Sequence, residues 1–170
     1  IYYLVFTALA MGFAIGVQII IARRLGEQNY RQIGVVFEHG LLFTTILGIM
    51  LWLIMHFLSD ILLDIIIDSP NVYEAATQFI NYRHYGIVIV CINYLFRSLY
   101  IGLSNTKIIT YTTILMAAVN IFLDYALIFG NLGFPEMGIR GAGLASVCAE
   151  LSALLLFVFH TLKMIPFRKY

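Results

Sequence analysis

Two acids stand where acids are rare. Asp124 lies inside the apolar run of residues 108–130, and Glu150 inside that of residues 141–162. An ionised carboxylate in the middle of a bilayer costs about 2.5–3.5 kcal/mol on insertion scales, and such residues tend to be functional. Each acid has a neutral polar companion one helical turn away, Asn120 before Asp124 and Ser146 before Glu150. Carboxylate, amide and hydroxyl oxygens together suit a proton or a small hard cation such as Na⁺. The competing reading of the same four residues is a hydrogen-bonded clamp between helices. Nothing else in the chain suggests bond-making chemistry. It has no phosphate-binding loop, nucleophile elbow or His-rich metal motif, so neither an enzyme nor a cofactor is expected. Cys91 and Cys148 sit in apolar runs without the spacing of a zinc or redox site and read as small core residues.

The elements that must position these residues follow from composition. Hydrophobic residues make up 62% of the 170 and charged residues 11%. A soluble domain carries about 25% charged and 45–50% apolar residues, so the apolar excess here must face lipid. Nucleic acid is an unsuitable partner, because no face gathers a basic stripe. Five runs approach or exceed the roughly 20 residues needed to span a bilayer: about 1–22, 35–58, 79–102, 108–130 and 141–162. They are too long and too poorly alternating for membrane strands. In lipid the backbone must satisfy its own hydrogen bonds, which leaves helices. The predicted fold class is therefore an all-α integral membrane protein, a polytopic bundle of about five transmembrane helices. Ile1 opens within an apolar run with no basic segment before it, so no signal peptide is expected and further chain ahead of it is.

Charge in the connectors sets an expected topology. Helices alternate, so the first connector, the third and the tail share a side. That side holds Arg23, Arg24, Arg31, Arg97, Lys107, Lys163, Arg168 and Lys169, eight cations against Arg83 and Arg140 on the other. The positive-inside rule places the eight, and the tail, in the cytoplasm. Depth then follows from a rise of 1.5 Å per residue. Asp124, six residues before Gly130, lies about 9 Å below the outer surface, and Ser146 about 7–8 Å below it on the antiparallel partner. Asn120 and Glu150 are each one turn deeper. If the two faces meet, the four residues form a polar cluster in the outer half of the bundle.

The remaining polar residues read more plainly. Asp60, Asp64 and Asp68 recur every four residues and form a solvated face of an outer segment between residues 59 and 75. Arg83 and His84 lie near the outer end of the third helix, and Arg97 near its inner end, where it snorkels. Glu38 and His39 begin the second helix and His56 ends it; the histidines read as interfacial anchors or satisfied polar groups and not as ligands. Gly12 and Gly16 form a GxxxG that permits close helix packing.

The segment 120–146, NIFLDYALIFGNLGFPEMGIRGAGLAS, resembles the signature of the multidrug and toxic compound extrusion (MATE) family: an Asn-x-x-x-Asp helix, a Gly/Pro loop, then Gly-Ala-x-Leu-Ala-Ser. GVQIIIARRLG at 16–26 resembles the end of the family's second helix, and DSPNVYEA at 68–75 its third outer segment. The resemblance implies a two-lobe, twelve-helix transporter of the plasma (inner) membrane. Such a transporter extrudes cationic or amphipathic drug-like compounds in exchange for Na⁺ or H⁺. Residues 1–170 would form part of the N-terminal lobe, helices two to six, with the first helix and the C-terminal lobe outside the chain. The family's N-lobe cation site takes an Asp from helix one, the Asn and Asp of helix five and a Ser or Thr of helix six. Asn120, Asp124 and Ser146 match the last three. Glu150 stands where many members have Gln, which adds an ionisable group and makes Glu150→Gln an expectedly mild change. Two other readings remain: a flippase for lipid-linked oligosaccharides of the same superfamily, whose cavities are typically lined with cations, and a non-transporting membrane scaffold.

Overall fold

The computed structural model describes residues 2–164, all of whose regular structure is helical. The helices are α1 (Tyr2–Gly26), α2 (Tyr30–Ile66), α3 (Pro70–Arg83), α4 (Ile87–Gly102), α5 (Lys107–Ile128) and α6 (Ile139–Met164). A three-residue 3₁₀ turn, His84–Gly86, joins α3 to α4, so these two form one broken span, Pro70–Gly102. Five segments are long and apolar enough to cross a membrane, as the hydropathy runs predict. Arg168 and Lys169, counted above among the tail cations, lie outside the described residues.

Two boundaries differ from expectation. The second span does not stop near residue 58 but continues to Ile66, and the connector shrinks to Ile67–Ser69 before Pro70 starts α3. The reason is a buried stripe that carries on past the last lipid-length turn. Thr44, Gly48, Leu51, Met55, Ser59 and Leu63 are all buried and recur every three or four residues, the period of one helix face. Ser59 is held there by the Tyr2 hydroxyl at 3.0 Å. Asp60 and Asp64 occupy the exposed side of this extension, while Asp68 falls beyond its end. Proline at the first turn of α3 gives up an N–H that would have had no helical partner.

Packing is organised around α4, which lies against α1, α2 and α6, while α5 pairs with α6 and α3 with α6. The close approaches use glycines. At Gly48 a Cβ would stand 3.1 Å from the Val88 backbone, and at Gly102 one would stand 2.7 Å from Ile21. The Gly12–Gly16 motif, by contrast, is exposed, and a Cβ at either position would have nothing within 4 Å, so it packs no other helix among the described residues. In the first connector the Arg24 and Arg23 guanidiniums bond Glu27, which holds its carboxyl below the usual glutamate range.

Candidate cation site and buried ion pair

Asn120 and Asp124 are projected from successive turns of α5, Ser146 and Glu150 from successive turns of α6. The loop between the helices folds back tightly: Gly130, Gly133 and Gly138 all have positive φ, and the Met137 amide donates to the Leu127 carbonyl at 2.8 Å. Gly141 then lies so close to α5 that a Cβ would stand 2.8 Å from the Leu127 carbonyl. The antiparallel pair is thereby in register, and Asn120, Ser146 and Glu150 line one cavity of about 280 Å³ together with Arg83, Met116, Ala117 and Ala149. Asp124 is not among its lining residues.

The hydrogen bonds within this group are few. Ser146 Oγ donates to the Ala142 carbonyl at 3.0 Å, which leaves its oxygen free to accept or coordinate. Asn120 Nδ2 and Asp124 Oδ1 are buried without a partner among the described residues. A buried polar atom left unpaired costs about 1–3 kcal/mol, so each such atom in a native structure calls for an explanation.

Glu150, unlike Asp124, is fully engaged. Arg83 Nη1 donates to its Oε2 at 2.8 Å and Nη2 to its Oε1, a bidentate pair whose side chains are only 11% and 13% exposed. The Tyr3 ring lies 4.0 Å from the guanidinium carbon, a cation–π contact. Asn93 Nδ2 donates to the Glu150 backbone carbonyl at 2.9 Å, which ties α4 to the same turn of α6.

Arg83 is the functional-site residue that sequence reasoning misplaced. It is not near the outer end of its span. α3 begins at Pro70, so Arg83 lies thirteen residues, about 20 Å of helix, along it. The available signal was electrostatic: an arginine and a glutamate at membrane depth are rarely tolerated unless paired. Of the two readings of the histidines, interfacial anchor or satisfied polar group, His84 is the second. It is buried, its Nδ1 meets the Ile80 carbonyl at 2.9 Å, and its ring packs near those of Trp52 and His56. His39 and His56 are exposed, and so is Arg97, which lines cavities on both sides of α4. Cys91 and Cys148 are free thiols.

A half-buried carboxylate with one unpartnered oxygen and an amide one turn away, beside a cavity offering a hydroxyl, can hold a hard cation or a proton. The neighbouring Arg–Glu pair adds no net charge. Comparison with known proteins agrees with this membrane architecture. Residues 1–126 match the MatE family model. A probable multidrug resistance protein NorM of Halalkalibacterium halodurans is 31% identical over 98% of this chain and 36% of its own length. A MATE structure in a bent conformation superposes with a TM-score of 0.84 at 25% identity, over 93% of this chain and 34% of that one. A MOP-superfamily transporter of Pyrococcus furiosus, described as having a binding pocket of reverse polarity that suggests a different function, superposes with a TM-score of 0.83 at 25% identity. The chain thus spans about a third of the proteins it resembles, and it belongs to the MatE family of multi-helix membrane transporters.

Proposed function

We propose that residues 1–170 form part of the N-terminal lobe of a plasma-membrane drug exporter. This lobe contributes the coupling-ion site of a Na⁺- or H⁺-driven antiporter for cationic or amphipathic compounds. In this reading Asp124 supplies the charge that exchanges with the ion, and Asn120 and Ser146 supply neutral oxygens. The observation that carries it is the uncompensated carboxylate. Asp124 Oδ1 is buried and unpartnered one turn from an equally unpartnered Asn120 amide, whereas the other deep acid, Glu150, already has its cation. A helix clamp would pair these atoms with one another or with the neighbouring helix. Alternating access between two lobes around a mid-membrane site fits a chain that is one part of a longer transporter.

Orientation belongs to the same reading. With Arg83 taken up inside the bundle, Arg140 is the one connector cation left on the side opposite the cation-rich connectors, which supports a topology with Lys107 in the cytoplasm and Glu136 outside. The test is drug efflux by the full-length protein against an imposed ion gradient, normalised to protein in the membrane. Asp124→Asn keeps the size of the side chain but not its charge, and should abolish coupled efflux with near-normal expression. Asn120→Ala and Ser146→Ala should weaken apparent ion affinity. Wild-type efflux from Asp124→Asn would leave Asp124 a structural residue.

One observation favours the flippase reading. Arg97 is exposed, has no hydrogen-bond or ion-pair partner among the described residues, and lines cavities with Asn93, Thr112 and Thr113 on one side and with Gln18 on the other. A guanidinium so placed suits an anionic cargo. Loss of transport in Arg97→Gln with an anionic lipid substrate, and none with cationic dyes, would select that reading.

A further inference from the structure

Three ionisable side chains that lie deep in this bundle are Asp124, Arg83 and Glu150. Among the described residues Asp124 Oδ1 has no partner, while Arg83 and Glu150 form a closed bidentate pair. Several features hold the guanidinium in place. The Tyr3 ring covers one of its faces at 4.0 Å. Gly86 leaves it room, since a Cβ there would stand 2.6 Å from Arg83 Nη1 and 2.8 Å from Glu150 Oε2. Arg83 therefore occupies a built site in the wall of the cavity that Asn120 and Ser146 also line.

With the guanidinium removed, Glu150 would be an uncompensated carboxylate facing a cavity of about 280 Å³. A water molecule claims about 30 Å³ of liquid volume, so this space admits a cation with part of its hydration shell. Asn93, whose Oδ1 is buried without a partner among the described residues, lines a neighbouring cavity with Glu150 and offers a hard oxygen donor outside the Asp124 site. Glu150 thus has what a second ion site requires, except that its cation is covalently part of the protein.

We infer that Arg83 is a tethered resident cation that sets the coupling stoichiometry. By occupying Glu150 it keeps that carboxylate from adding an exchangeable cation to the one carried at the Asp124 site. The inference rests on the cation-coupling reading above. It makes Arg83 a determinant of the ion-to-drug ratio, not a ligand of drug or ion. A purely structural pair would anchor α3 to α6 and leave that ratio untouched.

The experiment uses the full-length transporter in liposomes and finds the drug gradient at which net flux vanishes under a fixed ion gradient. Arg83→Gln should raise the ratio by one cation per cycle, so a tenfold ion gradient should support up to tenfold greater drug accumulation than in the wild type. Arg83→Gln/Glu150→Gln should return to the wild-type ratio. An Arg83→Gln transporter that folds and keeps the wild-type ratio overturns the inference. If Arg83→Gln does not fold, Arg83→Lys keeps a tethered cation and Arg83→Met removes it at similar length. The Lys variant should keep the wild-type ratio and the Met variant gain one cation per cycle, and equal ratios in the two overturn the inference equally. The underlying reading fails separately, on persistent coupling in Asp124→Asn.

Discussion

Glu150→Gln separates what the sequence alone suggests from what the structure requires. Read by resemblance, glutamine restores the residue of many relatives and the change is mild. In the structure it strips the charge from the sole ionic partner of Arg83 among the described residues. Glutamine keeps one acceptor oxygen, so one of the two guanidinium bonds can survive. The other is replaced by an amide N–H facing a donor. A hydrogen bond to a charged group is worth about 1.5–3 kcal/mol, and breaking a buried pair from one side typically costs about 3–5 kcal/mol. Side-chain exposures of 11% and 13% leave little solvent to screen the loss. Allowing for the surviving bond, we expect about 3 kcal/mol. For a cooperative unit of 150–250 residues, 1 kcal/mol shifts the melting temperature by about 2–4 °C, so the drop should be roughly 6–12 °C. The assay is thermal unfolding of the purified full-length protein in detergent, followed by tryptophan fluorescence or by loss of the monodisperse peak. Arg83→Met/Glu150→Gln, which removes both charges, should recover most of the loss, because replacing a buried pair with neutral groups is often close to neutral. A Glu150→Gln protein that melts within about 2 °C of the wild type would refute the argument and make the pair energetically idle.

The other predictions concern packing, insertion and sidedness. Gly86→Ala should displace the same pair from the backbone side, because its methyl would stand 2.6 Å from Arg83 Nη1; the expected cost is about 1–3 kcal/mol, read in the same melt. The protein should stay in the membrane pellet through carbonate and high-salt washes and come out only in detergent, since five segments are long and apolar enough to span. Single cysteines at Lys107 and Glu136, in a background without Cys91 and Cys148, should react oppositely with an impermeant thiol reagent in intact cells. Labelling at 136 and protection at 107 is expected, and the reverse pattern would invert the topology. Residues 1–170 alone, reconstituted in liposomes, should show no ion-driven drug uptake, because the chain spans about a third of the relatives it matches.

Much of the fold was legible because lipid imposes a length on each element. Uninterrupted apolar runs located all five spans, and the short Gly/Pro loop after residue 128 made α5 and α6 an antiparallel pair whose levels follow from counting residues. That counting set Asp124 level with Ser146 and Asn120 level with Glu150; Asn120, Ser146 and Glu150 do line one cavity, and Asp124 stands outside it. It failed where hydropathy and helicity part company. α2 and α3 extend beyond the apolar runs on exposed polar residues such as Asp60, Asp64 and Glu74, so hydropathy alone ended one helix too early and began the next too late. The misplaced start of the third span carried Arg83 to the wrong depth. Its partnership with Glu150 joins residues 67 apart on non-consecutive elements, and no local count reaches across that distance.

The glycines of the Gly-Ala-Gly segment give the family signature a physical meaning. They lie two residues apart, so on a helix they face different directions. Gly141 approaches α5, where a Cβ would meet the Leu127 carbonyl at 2.8 Å, and Gly143 approaches α3, where one would meet the Phe79 carbonyl at 2.9 Å. α6 is thereby drawn against two helices at once. The first contact sets Ser146 level with the Asn120–Asp124 turns. The second brings α3 close enough for Arg83 to reach Glu150 with both nitrogens, and the α3–α4 break at His84–Gly86 leaves the space it fills. The same two approaches therefore bring Asn120 of α5 and the Arg83–Glu150 pair to the walls of one cavity, with Asp124 just outside it. That arrangement is a consequence of backbone proximity, fixed by two residues that carry no side chain.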